Sequence, residues 1–350
     1  MGTTTPRKLC VIPGDGIGRE VTAVALEVLQ AAANDIQAES AAAGWQTFCD
    51  QGDSVPAETL DTIRECGAAL FGAVSSPAKK VHGYQSAILK IRQTLDLYAN
   101  IRPVRGRWSS QDRDHIDLVL VRENTEGLYA GREQMQKDWA VAEKLVSRSA
   151  SERSGRMAAE SANVNGMSRV TIVHKANVLP LSEGLFRDAA RQAIEHHPAE
   201  VQINEGLVDI VAHNLVAQPE KFEVLVTTNM FGDILSDLAA WWCGGMGRAP
   251  SLNLGDQVAV AEPVHGSAPD IAGQGIADPT ATILSIALLC RYHWNDPVLA
   301  ERLEQATIKA IEQFSTQPIT TRGFTDAVLH ALANSPKDAS EGFLKSADGR

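Results

Sequence analysis

The sequence predicts an α/β protein of two domains, in which parallel or mixed sheets are flanked by helices. Strand-like apolar runs alternate with helix-like segments along most of the chain, which is typical of strands joined by helical crossovers. The run at residues 68–74 is almost wholly apolar and therefore suits a strand buried on both faces. At 350 residues the chain is long for one domain, so two are expected.

Composition narrows the classes of function. Hydrophobic residues make up 44% of the chain and charged residues 21%, as in ordinary globular proteins. The net charge of −11 argues against nucleic acid or an anionic membrane surface as the main partner. Five scattered cysteines without a CxxC pair suit reduced thiols, and no apolar run is long enough to span a membrane. We therefore expect a cytoplasmic protein.

The first element is a strand over residues 9–12, which leads through a glycine-rich turn (residues 13–18) into a helix from about 19 to 33. This order is a phosphate-binding layout, but the turn has the spacing G-D-G-I-G and not GxGxxG. The next strand candidate, residues 45–49, places its acidic Asp50 later than a dinucleotide-binding fold requires. A standard Rossmann fold is therefore not predicted.

Three arginines then lie at the ends of neighbouring elements. Arg92 belongs to a helix predicted over residues 86–97, Arg102 precedes Pro103 in an extended segment, and Arg122 closes a strand. Each arginine alone is more often a surface ion pair than a ligand. Together they form a candidate carboxylate clamp, because the guanidinium fork binds carboxylates bidentately.

A strand-like run at residues 222–226 precedes a segment with a helical pattern that carries Asp233 and Asp237. Four residues apart on one helix face, the two carboxylates repel each other unless a cation lies between them. Mg²⁺ and Mn²⁺ prefer oxygen ligands of this kind. The alternative is an N-cap aspartate followed by a solvated one. Asp209 could supply a third carboxylate.

Two further stretches carry candidate site residues. Lys175 follows the apolar strand 170–173, where α/β folds place functional groups, although a snorkelling surface lysine is the alternative. Residues 261–273 are rich in small residues, whose exposed backbone amides suit phosphate or adenosine binding. This loop precedes a helix predicted over 279–291, with Asp278 as its N-cap.

Six blocks stand in order along the chain: IPGDGIG, LDLYANIRP, VRENTEGLY, HKANVL, TTNMFGDILSD and EPVHGSAPDIAG. From about residue 9 to 332 the sequence resembles the β-decarboxylating dehydrogenase family, which comprises isocitrate, 3-isopropylmalate, homoisocitrate and tartrate dehydrogenases. The resemblance implies the isopropylmalate-dehydrogenase-like fold. In it, residues 1–100 and 256–350 would form a large cofactor-binding domain. Residues 101–255 would form a small domain for dimerisation, metal and substrate. Within it, residues 132–165 are polar and low in aromatic residues, which suggests an arm or surface excursion.

The resemblance also implies an active site shared between the subunits of a homodimer. Lys175 of the partner subunit would be the general base, and Tyr129, by itself more often a packing residue, would protonate the enol left by decarboxylation. Asp233 and Asp237, with Asp209 of the partner subunit, would hold Mg²⁺ or Mn²⁺. The malate-type substrate would be bound by Arg92, Arg102, Arg122, Asn177, Ser86, Ile88 and Leu89. NAD would be bound by Glu262, His265, Gly266, Ser267, Ala268, Asp270, Ile271 and Asp278.

The cofactor expectation depends on Asp270 and Ile271, which resemble the NAD-preferring members of the family. An acidic residue there accepts hydrogen bonds from the ribose hydroxyls and repels a 2′-phosphate, whereas NADP-dependent relatives have Lys-Tyr. Asp278 stands where most relatives have an asparagine that faces the adenine. Its other interpretation is a plain N-cap.

The substrate implied first is homoisocitrate, because residues 75–84 and the NTEGLY block look most like homoisocitrate dehydrogenases. Ser86 matches a serine of isocitrate enzymes, whereas Ile88 and Leu89 are apolar as in 3-isopropylmalate enzymes, so both substrates, and tartrate, stay open. The neighbourhood of Asp209 departs from the family pattern at Ile210, His213 and Asn214. The alternative from another class is a non-catalytic regulatory paralogue, which would be expected to lose the base, the tyrosine or a metal ligand.

Overall fold

The computed structural model describes residues 6–79, 81–109, 111 and 113–335. Its mostly parallel strands flanked by helices confirm the predicted α/β class. The strands are β1 (Arg7–Gly14), β2 (Ile36–Ser40), β3 (Ala68–Ala73), β4 (Ala99–Arg105), β5 (Asp117–Glu123), β6 (Glu133–Met135), β7 (Ala140–Ala142), β8 (Arg169–His174), β9 (Gln202–Leu207), β10 (Val224–Thr227), β11 (Pro250–Leu254) and β12 (Ala259–Pro263). The helices are α1 (Gly18–Ala32), α2 (Trp45–Gln51), α3 (Ala57–Cys66), α4 (Ala87–Thr94), α5 (Arg148–Asn165), α6 (Ser182–Glu195), α7 (Val208–Ala217), α8 (Asn229–Ala239), α9 (Thr280–Tyr292), α10 (Pro297–Gln313) and α11 (Thr321–Ala333).

The chain divides into two compact units. Unit 1 comprises Met1–Tyr84 and Val260–Arg350, and unit 2 comprises Gln85–Ala259. Helix α4 therefore belongs to unit 2, and the domain limits predicted at residues 100 and 256 remain a prediction. Within the described ranges, no helix is both long enough and apolar enough to cross a membrane.

Unit 1 is built around β1, which pairs in parallel with β2 on one side and β3 on the other. Strand β12 follows β3 in the strand order. Helix α9 is buried over almost its whole length, which agrees with its apolar sequence, and α10 packs against it. Helix α1 packs against α11 and buries the apolar stripe that includes Val21, Val28 and Leu29.

Unit 2 has the strand order β11-β4-β5-β10-β8-β9. Strand β4 runs antiparallel to β5 and β11, whereas β5, β10, β8 and β9 run parallel to one another. In this register Thr227 of β10 lies opposite both Arg122 of β5 and Val173 of β8. The carboxyl ends of these three strands therefore meet at one sheet edge, the edge where parallel sheets carry their functional groups.

The segment around residues 45–49, predicted as a strand, is instead helix α2. The reason is a long-range contact from the glycine-rich turn. The carboxylate of Asp15 accepts hydrogen bonds from the backbone N–H groups of Trp45 (2.8 Å) and Gln46 (3.1 Å), and it also accepts one from the Ser75 N–H (3.0 Å). Asp15 thus caps the helix from outside its own segment.

Within the range predicted as an arm, β6 and β7 pair as a short exposed hairpin. Residues 148–165 form α5, which packs against α6 through a stripe of Ala, Ser and Gly. Gly155 lies on this stripe, and a Cβ there would approach the Ala190 carbonyl oxygen to 2.6 Å. The small side chains of this range, several of them serines, form the close-packed face of α5.

Candidate active site

Helix α8 presents two carboxylates on one face. It begins at Asn229, directly after buried β10, so Asp233 and Asp237 lie on successive turns. Arg102 donates to Asp237 Oδ1 at 3.2 Å and lies 3.7 Å from Asp233 Oδ1, which also pairs with the Arg122 guanidinium. Tyr129 donates its hydroxyl to Asp233 Oδ2. Four predicted site residues therefore converge with Asp233.

The electrostatics of this cluster follow from burial and neighbouring charge. Burial, reinforced by the positive charges of Arg102 and Arg92, lowers the pKa of Arg122 to about 10. Burial raises the pKa of Asp237 more than Arg102 lowers it. Burial acts in the same direction on Asp233, but Arg122 and the Tyr129 hydroxyl outweigh it, so the pKa of Asp233 is lowered.

Tyr129 is held in place as a hydrogen-bond donor to Asp233. Burial, and then its hydrogen bond to the Asp233 carboxylate, raises the pKa of the phenol. The Arg122 guanidinium lies 5.1 Å from the centre of the tyrosine ring, in a cation–π arrangement. The side chain is thus fixed by contacts on its face and at its hydroxyl.

Asparagine side chains orient the two arginines. The Asn229 side-chain oxygen accepts from Arg122 Nε (3.0 Å) and Nη2 (2.8 Å). Arg102 Nε donates to the Asn100 side-chain oxygen at 2.6 Å. Gly232 of α8 packs so closely on Arg122 that a Cβ would lie 2.6 Å from the arginine Cγ. Guanidinium groups held along one edge direct their remaining N–H groups in fixed directions.

The sequence interpretation had missed both asparagines. Asn100 precedes Arg102 by two residues and shares its face of β4, a relation that the period of a strand could have revealed. Asn229 is the third residue of the TTNMFGDILSD block and the first residue of α8. The Asn100 amide also donates to Asn253 Oδ1 (2.9 Å), and the Asn124 amide donates to the same oxygen (3.0 Å).

The side chains predicted to recognise the substrate substituent lie on and before α4. Ser86 occupies the position that precedes the helix, and Ile88 and Leu89, in its first turn, are half-buried. Arg92 is buried one helical turn after Ile88, and its charge contributes to the lowered pKa of Arg122. The three predicted clamp arginines are therefore close enough to interact electrostatically.

Lys175 and Asp209 form a separate pair. Lys175 follows β8, Asp209 lies in the first turn of α7, and the lysine ammonium contacts Asp209 Oδ1. The hydrogen bond from Lys175 lowers the pKa of Asp209. Asn177 is exposed two residues beyond the lysine. Of the departures from the family pattern, Ile210 is 55% exposed and His213 is exposed.

The two carboxylates of α8 are candidate metal ligands. In the part of the chain that the structure describes, no three His, Cys, Asp or Glu side chains are grouped to hold a metal ion. Asp233 and Asp237 nevertheless fit a hard divalent cation, because both are partly exposed carboxylates on one helix face. Magnesium commonly takes one or two carboxylates and completes its shell with substrate and water oxygens.

The predicted cofactor loop lies in unit 1, against the glycine-rich turn. The Ile17 N–H donates to the Ser267 carbonyl oxygen at 2.9 Å, and the hydroxyls of Ser75 and Ser267 lie 2.8 Å apart. Gly16 has φ 54°, and a Cβ there would lie 2.1 Å from that same carbonyl oxygen. The turn therefore needs glycine in order to support the cofactor loop.

His265 in this loop offers an acceptor that suits an adenine. Its Nδ1 lies 3.0 Å from the Gly266 carbonyl oxygen, so the neutral ring carries its proton there. Its Nε2 is buried and has no hydrogen-bond partner among the described residues. Burial lowers the pKa of His265, which keeps the ring neutral and Nε2 available to accept from an amino group.

The other predicted cofactor residues differ in their exposure and in their contacts. Asp270 is exposed, as a ribose ligand must be, and Glu262 is buried on β12. Ile271 and Ala268 instead pack against a small core cluster of Ile17, Val21 and Ala277. Asp278 accepts hydrogen bonds from both the backbone N–H (2.9 Å) and the hydroxyl (2.5 Å) of Thr280. Asp278 therefore contacts the first residue of α9, whereas Pro279 occupies the N-cap position.

Comparison with known proteins decides the family. The sequence model described as isocitrate/isopropylmalate dehydrogenase matches residues 8–331. The chain belongs to the isocitrate/isopropylmalate dehydrogenase family. It is 48% identical over 330 residues to an isocitrate/homoisocitrate dehydrogenase of Thermus thermophilus, covering 93% of this chain and 98% of that protein. Identity to a homoisocitrate dehydrogenase of Methanocaldococcus jannaschii is 44% over 297 residues, covering 81% and 85%.

Solved structures agree with this family assignment. A crystal structure of isocitrate dehydrogenase from Methylococcus capsulatus matches with a TM-score of 0.86 at 38% identity, over 93% of this chain and 99% of that chain. The protein is thus an oxidoreductase of the decarboxylating dehydrogenase type, and the substrates of this family are small hydroxy acids. Members of the isocitrate/isopropylmalate dehydrogenase family generally use a divalent metal and NAD(P).

Proposed function

We propose that this chain is an NAD-dependent homoisocitrate dehydrogenase, which oxidises homoisocitrate and releases CO₂ to give 2-oxoadipate. The observation that carries the chemistry is the convergence of Arg102, Arg122 and Tyr129 on the two carboxylates of α8. Cations that bind carboxylates, a phenol kept protonated and two potential metal ligands are the groups that oxidative β-decarboxylation needs.

In this proposal the arginines bind the malate carboxylates. Arg102 and Arg122 face Asp233 and Asp237 in the structure. A divalent cation between the aspartates would offset their charge and leave the guanidinium groups to the substrate. Lys175 accepts the proton of the C2 hydroxyl, and Tyr129 gives its phenolic proton to the carbon that loses CO₂. The raised pKa of Tyr129 supports this donor role.

Two bound groups complete the chemistry. A Mg²⁺ or Mn²⁺ ion held by Asp233, Asp237 and Asp209 of the partner subunit would supply Lewis-acid stabilisation of the charge that develops on the C2 oxygen. NAD would accept the hydride from C2. Exposed Asp270 supports the choice of NAD over NADP, because a carboxylate there repels a 2′-phosphate.

The dimer with shared sites is part of the same proposal. Lys175 and Asp209 pair with each other, and Asp209 does not join Asp233 and Asp237 in a three-carboxylate group within the described chain. A second copy that brings the Lys175–Asp209 pair to the α8 carboxylates supplies both the base and the missing metal ligand. The amino-acid departures near Asp209 would then lie at the contact between subunits.

The names of the relatives support homoisocitrate first and isocitrate second, since the Thermus thermophilus enzyme carries both in its name. Half-buried Ile88 and Leu89 favour 3-isopropylmalate as the third candidate. A non-catalytic regulatory role is disfavoured, because Lys175, Tyr129 and the three aspartates are all present.

The test is a set of initial rates of NADH or NADPH formation with homoisocitrate, isocitrate, 3-isopropylmalate, tartrate and malate. Each substrate is assayed with NAD or NADP, and with Mg²⁺ or EDTA. A kcat/KM for homoisocitrate about tenfold above the others, or about 1.4 kcal/mol of transition-state preference, supports the substrate. Equal or higher values for another substrate overturn that choice, and full activity in EDTA overturns the metal site.

A further inference from the structure

We propose that Glu183, neutralised by Lys144, is a positioning residue for the catalytic lysine, Lys175. The inference rests on the proposed function, in which Lys175 is the general base. The side chain of Glu183 is 0% exposed, yet it belongs to neither the carboxylate cluster of α8 nor the Lys175–Asp209 pair. A buried carboxylate is normally hydrogen-bonded, so its partners indicate what it stabilises.

Three donors surround the Glu183 carboxylate. The Lys144 ammonium contacts Oε1, and the Thr228 hydroxyl lies 3.3 Å from the same oxygen. The other oxygen, Oε2, accepts from the backbone N–H of Lys175 at 2.9 Å. A fully buried charge persists only where it is paired and its lone pairs are used. Lys144 supplies that pairing, since its side chain is only 17% exposed.

Lys175 is consequently held at both ends. Its backbone N–H is fixed by Glu183, and its carbonyl oxygen accepts from Val178 N (3.0 Å) and Leu179 N (2.9 Å). Its ammonium contacts Asp209. The main chain at the base thus has a fixed location, and only the side-chain torsions between two anchored ends remain free. Catalysis by a general base depends on such geometry.

Lys144 connects this anchor to two other elements of unit 2. It lies two residues after β7, so it joins the segment that leaves the exposed hairpin to the lysine loop. Its ammonium also lies 4.6 Å from the ring centre of Phe231, which is on α8 two residues before Asp233. One buried ion pair therefore fixes the base-bearing loop relative to the helix that carries the carboxylates.

The variants that test the anchor are Lys144→Met, Lys144→Arg, Glu183→Gln and the double variant Lys144→Met/Glu183→Gln. Lys144→Met leaves the carboxylate buried without its cation, and we expect kcat to fall about 10- to 100-fold while the KM for NAD stays unchanged. Lys144→Arg should keep most of kcat. Adding Glu183→Gln to Lys144→Met should restore part of it, because the amide oxygen still accepts from Lys175 N–H. The matched controls are Glu195→Gln on α6 and Lys221→Met, both exposed.

Amide hydrogen exchange over residues 174–179 measures the anchor without turnover. Glu183→Ala should speed exchange in this segment about tenfold or more relative to the wild type and Glu195→Gln. Unchanged exchange, or a Lys144→Met enzyme with lower stability but normal kcat, overturns the positioning role. Wild-type protein that turns over none of the hydroxy acids instead contradicts the proposed function, and the exchange result then still decides whether Glu183 anchors the loop.

Discussion

Arg122 and Asn229 are joined by two hydrogen bonds, from Nε and Nη2 of the arginine to the one side-chain oxygen of the asparagine. The Asn229 amide in turn donates to the Glu126 carbonyl oxygen at 3.0 Å. Arg122 is 1% exposed, so water does not replace a lost partner easily. The orientation of this buried cation therefore depends on a residue that belongs to the first turn of α8.

We predict that Asn229→Ala lowers kcat/KM about 10- to 150-fold, since hydrogen bonds to a charged group contribute about 1.5–3 kcal/mol. Most of the change should be in the KM for the hydroxy acid, because Arg122 binds a substrate carboxylate in the proposed function. Steady-state kinetics measures both constants. The matched control is Asn163→Ala on α5, where the asparagine is exposed. An Asn229→Ala enzyme with wild-type KM would show that Arg122 is oriented without it.

Gly232→Ala should be harmful although it is a conservative change within a helix. The added Cβ would lie 2.6 Å from Arg122 Cγ, so either the arginine or the helix must move. Overpacking of this kind costs about 1–3 kcal/mol of folding free energy, and we expect activity to fall with it. Gly184→Ala on α6 is the matched control. A Cβ added there would meet no other part of the protein within 4 Å, so this change should be neutral or stabilising. Urea unfolding of both variants checks this, and equal effects would contradict the contact.

Hybrid dimers test the shared active site. Lys175→Ala and Asp237→Asn should each be inactive alone. If Lys175 serves the partner's carboxylates, a dimer with one chain of each kind has one intact site. Random reassociation of equal amounts should then recover about one quarter of the wild-type activity. A mixture that stays inactive after verified subunit exchange would place the lysine and the aspartate in the same chain's site.

Two half-buried histidines should make the free energy of unfolding depend on pH. Burial lowers the pKa of His293 and His265 below the ordinary value of 6.5. The unfolded chain therefore binds protons that the folded chain does not, and the free energy of unfolding should fall as pH drops from about 7 through 6.5 to the folded pKa values. Urea unfolding at several pH values measures this slope. His293→Gln should flatten the slope, whereas His115→Gln, at an exposed position, should leave it unchanged.

Much of the fold was predictable because its signals are local. The apolar run at 68–74 became β3, and the strands that end at Arg122 and His174 became β5 and β8. The two aspartates of α8 were also foreseeable, because a spacing of four residues puts side chains on one helix face. Predictions of this kind require only the spacing of apolar and charged residues within a segment and the identity of the residues beside it.

The remaining features depend on contacts between distant parts of the chain. No local pattern predicts that Asn229 orients Arg122, or that Glu183 contacts Lys144 39 residues away. The small residues of α5 looked like a polar excursion because close packing of Ala, Ser and Gly leaves no apolar signature in the sequence. Sequence patterns thus predict candidate chemical groups more readily than the side chains that hold them.

The three hydrogen bonds that Asp15 accepts also constrain the order of folding. They join residues 30, 31 and 60 positions apart, so the loops between them must close before the carboxylate can cap α2. A helix of 7 residues is unstable in isolation. Helix α2 should therefore form late, after β1 and β3 have paired, and a peptide that spans residues 45–51 should be a random coil in water. The helical structure of this segment thus results from tertiary contacts and does not initiate folding.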